Sequence, residues 1–160
     1  PAMLATPRLH LRPHRPEDLE DSFCLWSNPA TVRYIGGTPL TREEVWSRLL
    51  RHLGHWQVYD YGYFVVHHQH RFLGEVGIAE FKREGLCLQP EAGWAFLPEA
   101  QGKGYAREAV QKILDWFARP TSCIIDPDNH SSLRLAAQLG LRPEHTQTYK
   151  GRPTVVHHRP

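Results

Sequence analysis

The sequence predicts an α/β (α+β) domain built on one mixed, mostly antiparallel β-sheet with helices on both faces. Its 160 residues are the length of one domain. Short apolar segments typical of strands alternate with amphipathic segments of helical period. Three consecutive strands between residues 62 and 97 have tight connections and are therefore antiparallel, whereas a later strand–helix–strand unit requires a parallel step.

The chain begins with a predicted strand and a helix. Residues 7–13 alternate apolar and polar side chains and are closed by prolines, which indicates a strand. Pro16 stands where a helix would begin, and Asn28-Pro29 would end it. One face of this helix carries apolar side chains at i, i+4 and i+7: Leu19, Phe23 and Trp26.

A second helix is predicted over residues 42–53. Thr41 and Glu44 form a capping box before it, and Gly54 is suited to follow its last turn. Aromatic and β-branched residues then predict three strands, at 62–68, 71–79 and 89–97.

The second half predicts two more helices and three strands. Apolar residues follow the helical period from Ala106 to Phe117 and stop before Pro120. A last helix begins at Asp128 or Asn129 and ends near Leu139. The strands are placed at 121–126, 141–148 and 154–158.

Composition excludes several functional classes. The net charge is +2 with no basic block, which argues against a nucleic-acid partner. Apolar runs such as 63–66 are too short to cross a membrane, and residues 1–15 show no signal peptide. Cys24, Cys87 and Cys123 are odd in number and widely spaced, so reduced thiols and a cytoplasmic location are expected.

The segment 97–107 carries the clearest chemical signal. It leads from a strand through a glycine-rich loop into a helix whose N-terminus offers free N–H groups and partial positive charge. Lys103 and Arg107 add charge, so the segment suits a phosphate or pyrophosphate. No P-loop is present, and the dinucleotide pattern begun by Gly102 and Gly104 fails because its third glycine position is Arg107.

The motif Gln101-x-x-Gly104-x-Ala106 resembles the acyl-CoA pyrophosphate loop of the GNAT N-acyltransferases. Its context agrees, because Asn129-x-x-Ser132 opens the last helix. The resemblance covers nearly the whole chain and is closest to the RimJ/RimL-like branch. Three further segments carry it: residues 6–13, 73–77 and 92–99.

This resemblance implies a single GNAT acetyltransferase domain over residues 1–160, with splayed central strands. It implies acetyl-CoA as co-substrate and direct transfer of the acetyl group to a primary amine, either a protein N-terminus or a small molecule. We expect a monomer or homodimer without nucleic-acid or membrane partners. The alternative is a non-catalytic module that senses acyl-CoA.

The cofactor-binding residues implied by the resemblance lie in three places. Backbone groups of the fourth strand would bind pantetheine, and backbone amides of the loop would bind the pyrophosphate. Two polar side chains would lie near the sulfur. They are Ala95, Phe96 and Leu97; Gln101, Gly102, Lys103, Gly104, Tyr105 and Ala106; and Asn129 and Ser132.

Acyl transfer requires a neutral amine, so a carboxylate is expected to take its proton. Glu91 is the first candidate, and Glu75 is its rival or else orients the acceptor. Many GNAT enzymes protonate the CoA thiolate with a tyrosine after the last helix, but residues 139–145 contain none. Ser132 is the catalytic candidate near the sulfur, Tyr149 is a more distant one, and the thiolate can also leave unprotonated.

The helical region before residue 62 is expected to shape the acceptor pocket. Arg33 and Tyr34 are the best candidates because they lie between helices, whereas Trp26, Trp46 and Trp56 are more typical of a core.

No metal site is predicted. His67, His68 and His70 flank a hairpin tip, and His157 and His158 lie near the end of the sequence. None is joined by further ligands at metal-binding spacing, so we expect solvated turn histidines.

Overall fold

Eight strands form one mixed sheet in the residues that the computed structural model describes, 2–86 and 89–160. The strand order is β1-β2-β3-β4-β5-β6-β8-β7, which confirms the predicted fold class. The strands are β1 (Leu4–Ala5), β2 (His10–Pro13), β3 (Tyr63–His68), β4 (Arg71–Ala79), β5 (Glu91–Phe96), β6 (Thr121–Ile125), β7 (Arg142–Tyr149) and β8 (Arg152–Arg159). The helices are α1 (Leu19–Trp26), α2 (Pro29–Val32), α3 (Arg42–Tyr59), α4 (Tyr105–Phe117) and α5 (His130–Gln138).

The sheet is interrupted at its centre. β4 and β5 are paired along six residues of each strand, from Ala79↔Glu91 to Gly74↔Phe96. β5 and β6 are parallel and are registered at Glu91↔Ser122. Beyond that pair the two strands diverge, as expected, and β5 presents one edge that β6 does not cover.

The first predicted strand is wrong in its extent. Its first residues form a turn between β1 and β2, because Thr6 N–H donates to the Leu9 carbonyl at 2.9 Å and Leu9 N–H donates to Thr6 Oγ1 at 3.0 Å. Only residues 10–13 of the predicted 7–13 are strand. The alternation of residues 7–13 therefore describes a turn followed by a short strand.

α3 is longer than the predicted helix. It continues through Gly54 to Tyr59 and ends at Asp60, whose φ is 60°. Glycine inside a helix costs about 1 kcal/mol, but the added turns place Trp56 against the core. Tertiary packing therefore overrides the local stop signal.

The predicted caps are largely confirmed. Thr41 and Glu44 form the capping box of α3, with both backbone N–H groups bonded to the opposite side chain. The stretch Asn28-Pro29 follows α1 as predicted, but it also starts the short helix α2, where Asn28 accepts the N–H of Ala30 at 2.9 Å.

Two clusters of buried side chains cover the two faces of the sheet. The larger includes Phe64 with Val110 and Ile113 of α4. The smaller joins α1–α3 to Ala95 of β5. Because successive strand residues point to opposite faces, Ala95 and Phe96 belong to different clusters.

Within the described residues, no helix has the length and apolar character needed to cross a membrane. Cys24 and Cys123 are free thiols, and Cys87 lies outside the described residues.

Candidate active site

A cavity of about 640 Å³ passes between β5 and β6 at the interrupted centre of the sheet. Its wall includes residues from both faces: Trp26, Tyr34 and Arg48 from α1–α3 and their connections, and Asn129 and Ser132 from the start of α5. A molecule in this cavity can therefore be approached from either side of the sheet.

The backbone of β5 divides its hydrogen-bonding groups between two neighbours. Leu97 N–H donates to the Leu73 carbonyl of β4 at 2.9 Å, and Ser122 N–H donates to Pro90 on the other side at 2.9 Å. Because antiparallel pairs alternate, Trp94 and Phe96 direct their N–H groups towards the gap beside β6.

This alternation corrects part of the expected pantetheine site. The N–H of Leu97 is already bonded to β4, and its carbonyl accepts Ala100 N–H at 2.9 Å. By the same alternation, Ala95 N–H points towards β4. Of the three residues predicted on this strand, Phe96 has the backbone that faces the gap.

The glycine-rich loop follows β5 directly. Gly102 and Gly104 have φ of 76° and 80°, a left-handed conformation that favours glycine. Gly104 is the N-cap of α4 and supplies no side chain to cap it, so the first N–H groups of α4 remain available to an anion. The loop residues 101–104 are exposed and Gln101 Nε2 donates to the Phe96 carbonyl at 3.1 Å, which ties the loop to the gap edge of β5.

Side chains outside the loop also hold it in place. Arg8 Nη1 donates to the Lys103 carbonyl at 2.9 Å, and the same guanidinium lies 4.5 Å from the ring centre of Tyr105. Lys103 Nζ donates to the Glu99 carbonyl at 3.0 Å. Tyr105 therefore packs under Arg8, while Ala106 lies in the first turn of α4.

Glu91 lines the cavity and is held by a bidentate ion pair. Arg83 donates Nε to Glu91 Oε1 at 2.6 Å and Nη2 to Oε2 at 2.9 Å. Arg83 Nη1 also donates to the hydroxyl of Tyr149 at 3.4 Å. Burial alone would lower the pKa of Arg83, but the bond to Glu91 raises it above its ordinary value.

The predicted polar pair at the start of α5 is also in the cavity wall. Asn129 Oδ1 accepts the N–H of Ser132 at 3.3 Å and so caps the helix. Ser132 Oγ accepts Trp94 Nε1 at 3.1 Å. Because Trp94 and Glu91 point to opposite faces of β5, the serine and the carboxylate approach the gap from opposite sides.

Glu75 is enclosed rather than presented to the cavity. Its side chain is 1% exposed and is not part of the cavity wall. Ser22 Oγ donates to Oε2 at 2.6 Å, Trp26 Nε1 donates to Oε1 at 2.9 Å, and His14 Nε2 lies 3.0 Å from Oε2. Burial alone would raise the pKa of Glu75, but the charge and hydrogen bond of His14 outweigh it and hold the pKa well below its ordinary value. Glu75 therefore lies behind the cavity wall, and the contact with an acceptor expected from the sequence stays a prediction.

His14, His52 and Glu75 form a buried group whose ligand atoms all lie within 4.8 Å of one another. Two imidazoles and a carboxylate are a donor set suited to zinc. The two rings are stacked, however, with centres 4.6 Å apart and planes 25° from parallel. Imidazole lone pairs lie in the ring plane, so both rings would have to turn before they could bind one ion.

The histidines noticed in the sequence lie elsewhere. His68 Nδ1 contacts the Arg8 carbonyl at 2.8 Å, and His67 packs on Phe72 with ring centres 6.0 Å apart. The spacing of His14 and His52 in the sequence does not indicate a shared site, because α1 and α2 lie between them. Only the sheet and α3 bring them together.

The acceptor-side predictions divide. Tyr34 lines the cavity, whereas Arg33 lies over the Tyr34 ring at 5.1 Å and is outside the wall. Trp26 is buried in the smaller core cluster, as its type predicts, and also lines the cavity. Trp56 is buried in the core and Trp46 is exposed.

Sequence reasoning missed the ring of Tyr63, which lies across two strands towards the gap. A Cβ on Gly77 would stand 2.3 Å from this ring, and a Cβ on Gly93 would stand 2.1 Å from its hydroxyl. Glycine is therefore required at both positions. Burial raises the pKa of Tyr63 to about 12, so its hydroxyl stays protonated near the cavity. Gly77 and Gly93 lie opposite each other on β4 and β5, and these two glycines were the sequence signal for a large ring across both strands.

An opened central sheet, a loop at the N-terminus of a helix, and a carboxylate in the gap define an acyltransferase of the GNAT type. The family model described as acetyltransferase (GNAT) domain matches residues 8–142. The chain belongs to this GNAT acetyltransferase family.

Similar proteins agree with this assignment. A GnaT-family acetyltransferase structure from Bordetella pertussis is 29% identical, with a TM-score of 0.87 and coverage of 100% of both chains. The uncharacterized protein YkkB of Bacillus subtilis is 29% identical and covers 98% of this chain and 94% of its own length. A structure of RimL, described as a ribosomal L7/L12 alpha-N-protein acetyltransferase in complex with coenzyme A, is 14% identical with a TM-score of 0.81, over 99% of this chain and 97% of RimL.

Proposed function

We propose that the protein transfers an acetyl group from acetyl-CoA directly to a primary amine. The observation that carries the proposal is the divergence of β5 from β6 beyond Glu91↔Ser122, which opens a cavity through the sheet. The thioester can enter from the side of α4 and α5, and the amine from the side of α1–α3.

The residues present fit coenzyme A. Free N–H groups on the gap edge of β5, at Trp94 and Phe96, suit the amides of pantetheine. The start of α4, with Gly102 and Gly104 before it, suits the pyrophosphate. RimL, which shares the fold, has been described with coenzyme A bound.

Glu91 is proposed as the proton acceptor. The amine nitrogen attacks the thioester carbonyl, the carbon–sulfur bond breaks, and the proton of the amine passes to Glu91 directly or through water. Each carboxylate oxygen has two lone pairs, so the ion pair with Arg83 leaves one on each oxygen free. Arg83 fixes the carboxylate beside the gap and limits its rotation.

The leaving thiolate has two candidate proton donors. Ser132 lies on the side of α5 beside Trp94. Tyr149 lines the cavity from β7 and is linked through Arg83 to Glu91, so it provides a hydroxyl although residues 139–145 contain no tyrosine. The lack of a tyrosine there therefore gives the sensing alternative little support.

The first experiment measures the melting temperature with and without acetyl-CoA, followed by thiol release with a panel of primary amines. A ligand at about 100 times its dissociation constant adds about 2.7 kcal/mol, or roughly 5–10 °C for a chain of this size. We expect this rise together with amine-dependent thiol release. A rise without release from any amine would favour the sensing module, and no rise at millimolar acetyl-CoA would contradict both.

A further inference from the structure

The acceptor side of the cavity carries two arginines that have no carboxylate partner among the described residues. Arg48 and Arg51 stand one turn apart on α3, and both line the cavity. The other two arginines of the wall are neutralised, since Arg83 pairs with Glu91 and Arg152 with Asp126 at 3.1 Å. Lys150 of the wall also forms no ion pair among the described residues, so two of the three unpaired cations of the cavity lie on α3.

Both guanidinium groups are supported by aromatic rings. Arg48 lies 3.9 Å from the ring centre of Trp26, and Arg51 lies 5.0 Å from that of Phe81. Stacking supports the flat face of a guanidinium and leaves its N–H groups free to donate. The Nε atom of Arg48 is buried and has no hydrogen-bond partner within the part of the chain that the structure describes, although a buried donor without a partner is costly.

The arrangement is electrostatically unfavourable without an anion. Loss of hydration at its guanidinium in the cavity wall lowers the pKa of Arg51, and the charge of Arg48 lowers it further, which outweighs the opposing effect of Tyr63 and Glu91. Two neighbouring guanidinium groups, one of which has an N–H group without a hydrogen-bond partner among the described residues, form a binding site suited to an oxyanion. The forked guanidinium geometry matches a carboxylate or a phosphate.

We infer that the acceptor of this enzyme is an amine that also carries an anionic group, a carboxylate or a phosphate, bound by Arg48 and Arg51. This inference rests on the proposed function and specifies its substrate class. The anion on α3 would hold the amine towards Glu91, on the same face of the sheet as Ala95 and the helices α1–α3. Polyamines, which carry only positive charge, would be repelled.

The test compares amines that differ only in the anion. The pairs are phenylalanine with phenethylamine and O-phosphoethanolamine with ethanolamine, assayed by thiol release from acetyl-CoA. We expect the anionic member of at least one pair to have kcat/KM about tenfold higher, and the preferred pair distinguishes carboxylate from phosphate. Equal or faster turnover of both amines that lack the anionic group would overturn the inference.

Variants locate the preference. Arg48→Gln with Arg51→Gln should abolish it while the melting shift with acetyl-CoA remains, which excludes the phosphates of coenzyme A as the anion bound there. Arg51→Gln alone, at an exposed position, should reduce it without risk to folding. Arg134→Gln with Arg142→Gln removes the same charge outside the cavity wall and is the matched control. A preference that survives the double cavity variant would overturn the inference.

A binding measurement separates this inference from the proposed function. N-acetylphenylalanine and N-acetylphenethylamine are compared by the melting shift they cause in the protein with coenzyme A. Tighter binding of the anionic compound, lost in the Arg48/Arg51 variant, supports the site even if no amine is turned over. If these two compounds bind equally, the phosphate pair, N-acetyl-O-phosphoethanolamine and N-acetylethanolamine, is compared in the same way. Equal binding within both pairs contradicts the inference even if acetyl transfer to amines is observed.

Discussion

The two sides of the cavity are built in different ways. On the α4 side, the loop 101–104 and the N-terminus of α4 are contiguous in sequence, and the groups proposed to bind the pyrophosphate are backbone N–H groups. On the α1–α3 side, Trp26 of α1, Arg48 of α3 and Glu75 of β4 meet from three elements, and their side chains determine the chemistry. The first side depends on local conformation and the second on long-range packing, so changes on the two sides should have different consequences.

The largest expected effect is on the chemical step. Glu91→Gln should reduce turnover by about two to four orders of magnitude, because a positioned proton acceptor contributes that much. The melting shift with acetyl-CoA should persist. Glu144→Gln, at an exposed position of β7, is the matched control. Unchanged turnover would eliminate Glu91 as the proton acceptor.

Glu75→Gln should act on folding rather than on binding. Removal of one member of a buried ionic group costs about 3 kcal/mol or more, and Glu75 is bonded to Ser22 and Trp26 and paired with His14. Urea unfolding should show this loss, while the exposed Glu43→Gln should change the free energy of unfolding by less than about 0.5 kcal/mol. A raised KM for the amine without loss of stability would instead favour the contact with the acceptor expected from sequence.

On the α4 side, Gly104→Glu should mainly abolish binding. The φ of 80° costs about 1–2 kcal/mol for any other residue, and the added carboxylate would lie where an anion is proposed to bind. We expect acetyl-CoA to bind at least about 30-fold more weakly, the equivalent of one charged hydrogen bond.

Gly151→Glu provides the control for that prediction. Gly151 has φ of 77° in the turn between β7 and β8, with open space around it. The Gly151→Glu variant should lose about as much stability as Gly104→Glu, but it should retain the melting shift with acetyl-CoA. Equal loss of the shift in both variants would show that backbone strain, and not the loop, was responsible.

The smallest expected effect is a dependence of stability on pH. Burial lowers the pKa of His52 well below 6.5, and the charge of His14 adds to this. Below about pH 6.5 the unfolded chain therefore binds a proton at His52 that the folded protein does not, so stability falls as the pH decreases. At pH 5.5 this loss is about 1 kcal/mol relative to pH 7, and raising the pH restores it.

His52→Phe should remove that contribution, since His52 Nε2 has no hydrogen-bond partner to lose. Urea unfolding at pH 7 and pH 5.5 measures it, with the exposed His130→Phe as control. An unchanged pH dependence in His52→Phe would mean that His52 is protonated in the folded protein.

Local signals were sufficient for most elements of the fold and for the conformation of the glycine-rich loop before α4. The period of α4, the capping box at Thr41 and the glycines at 102 and 104 act over a few residues, so each could be recognised in isolation. Local stops were less reliable, because α3 continues through Gly54 when Trp56 can enter the core.

The sequence by itself determined the fold class, the order of the main strands and helices, the glycine-rich turn before α4, and the resemblance to a family of acetyltransferases. Tertiary structure alone decided that Glu75 is enclosed by His14 and α1 and that Arg83 holds Glu91. It also decided that Arg48 and Arg51 form no ion pair within residues 2–86 and 89–160. Overall charge is nearly balanced, yet the cavity is not, because pairing depends on which side chains meet after folding. A backbone site is encoded by the conformation of a few consecutive residues, whereas a side-chain site exists only after distant elements have packed.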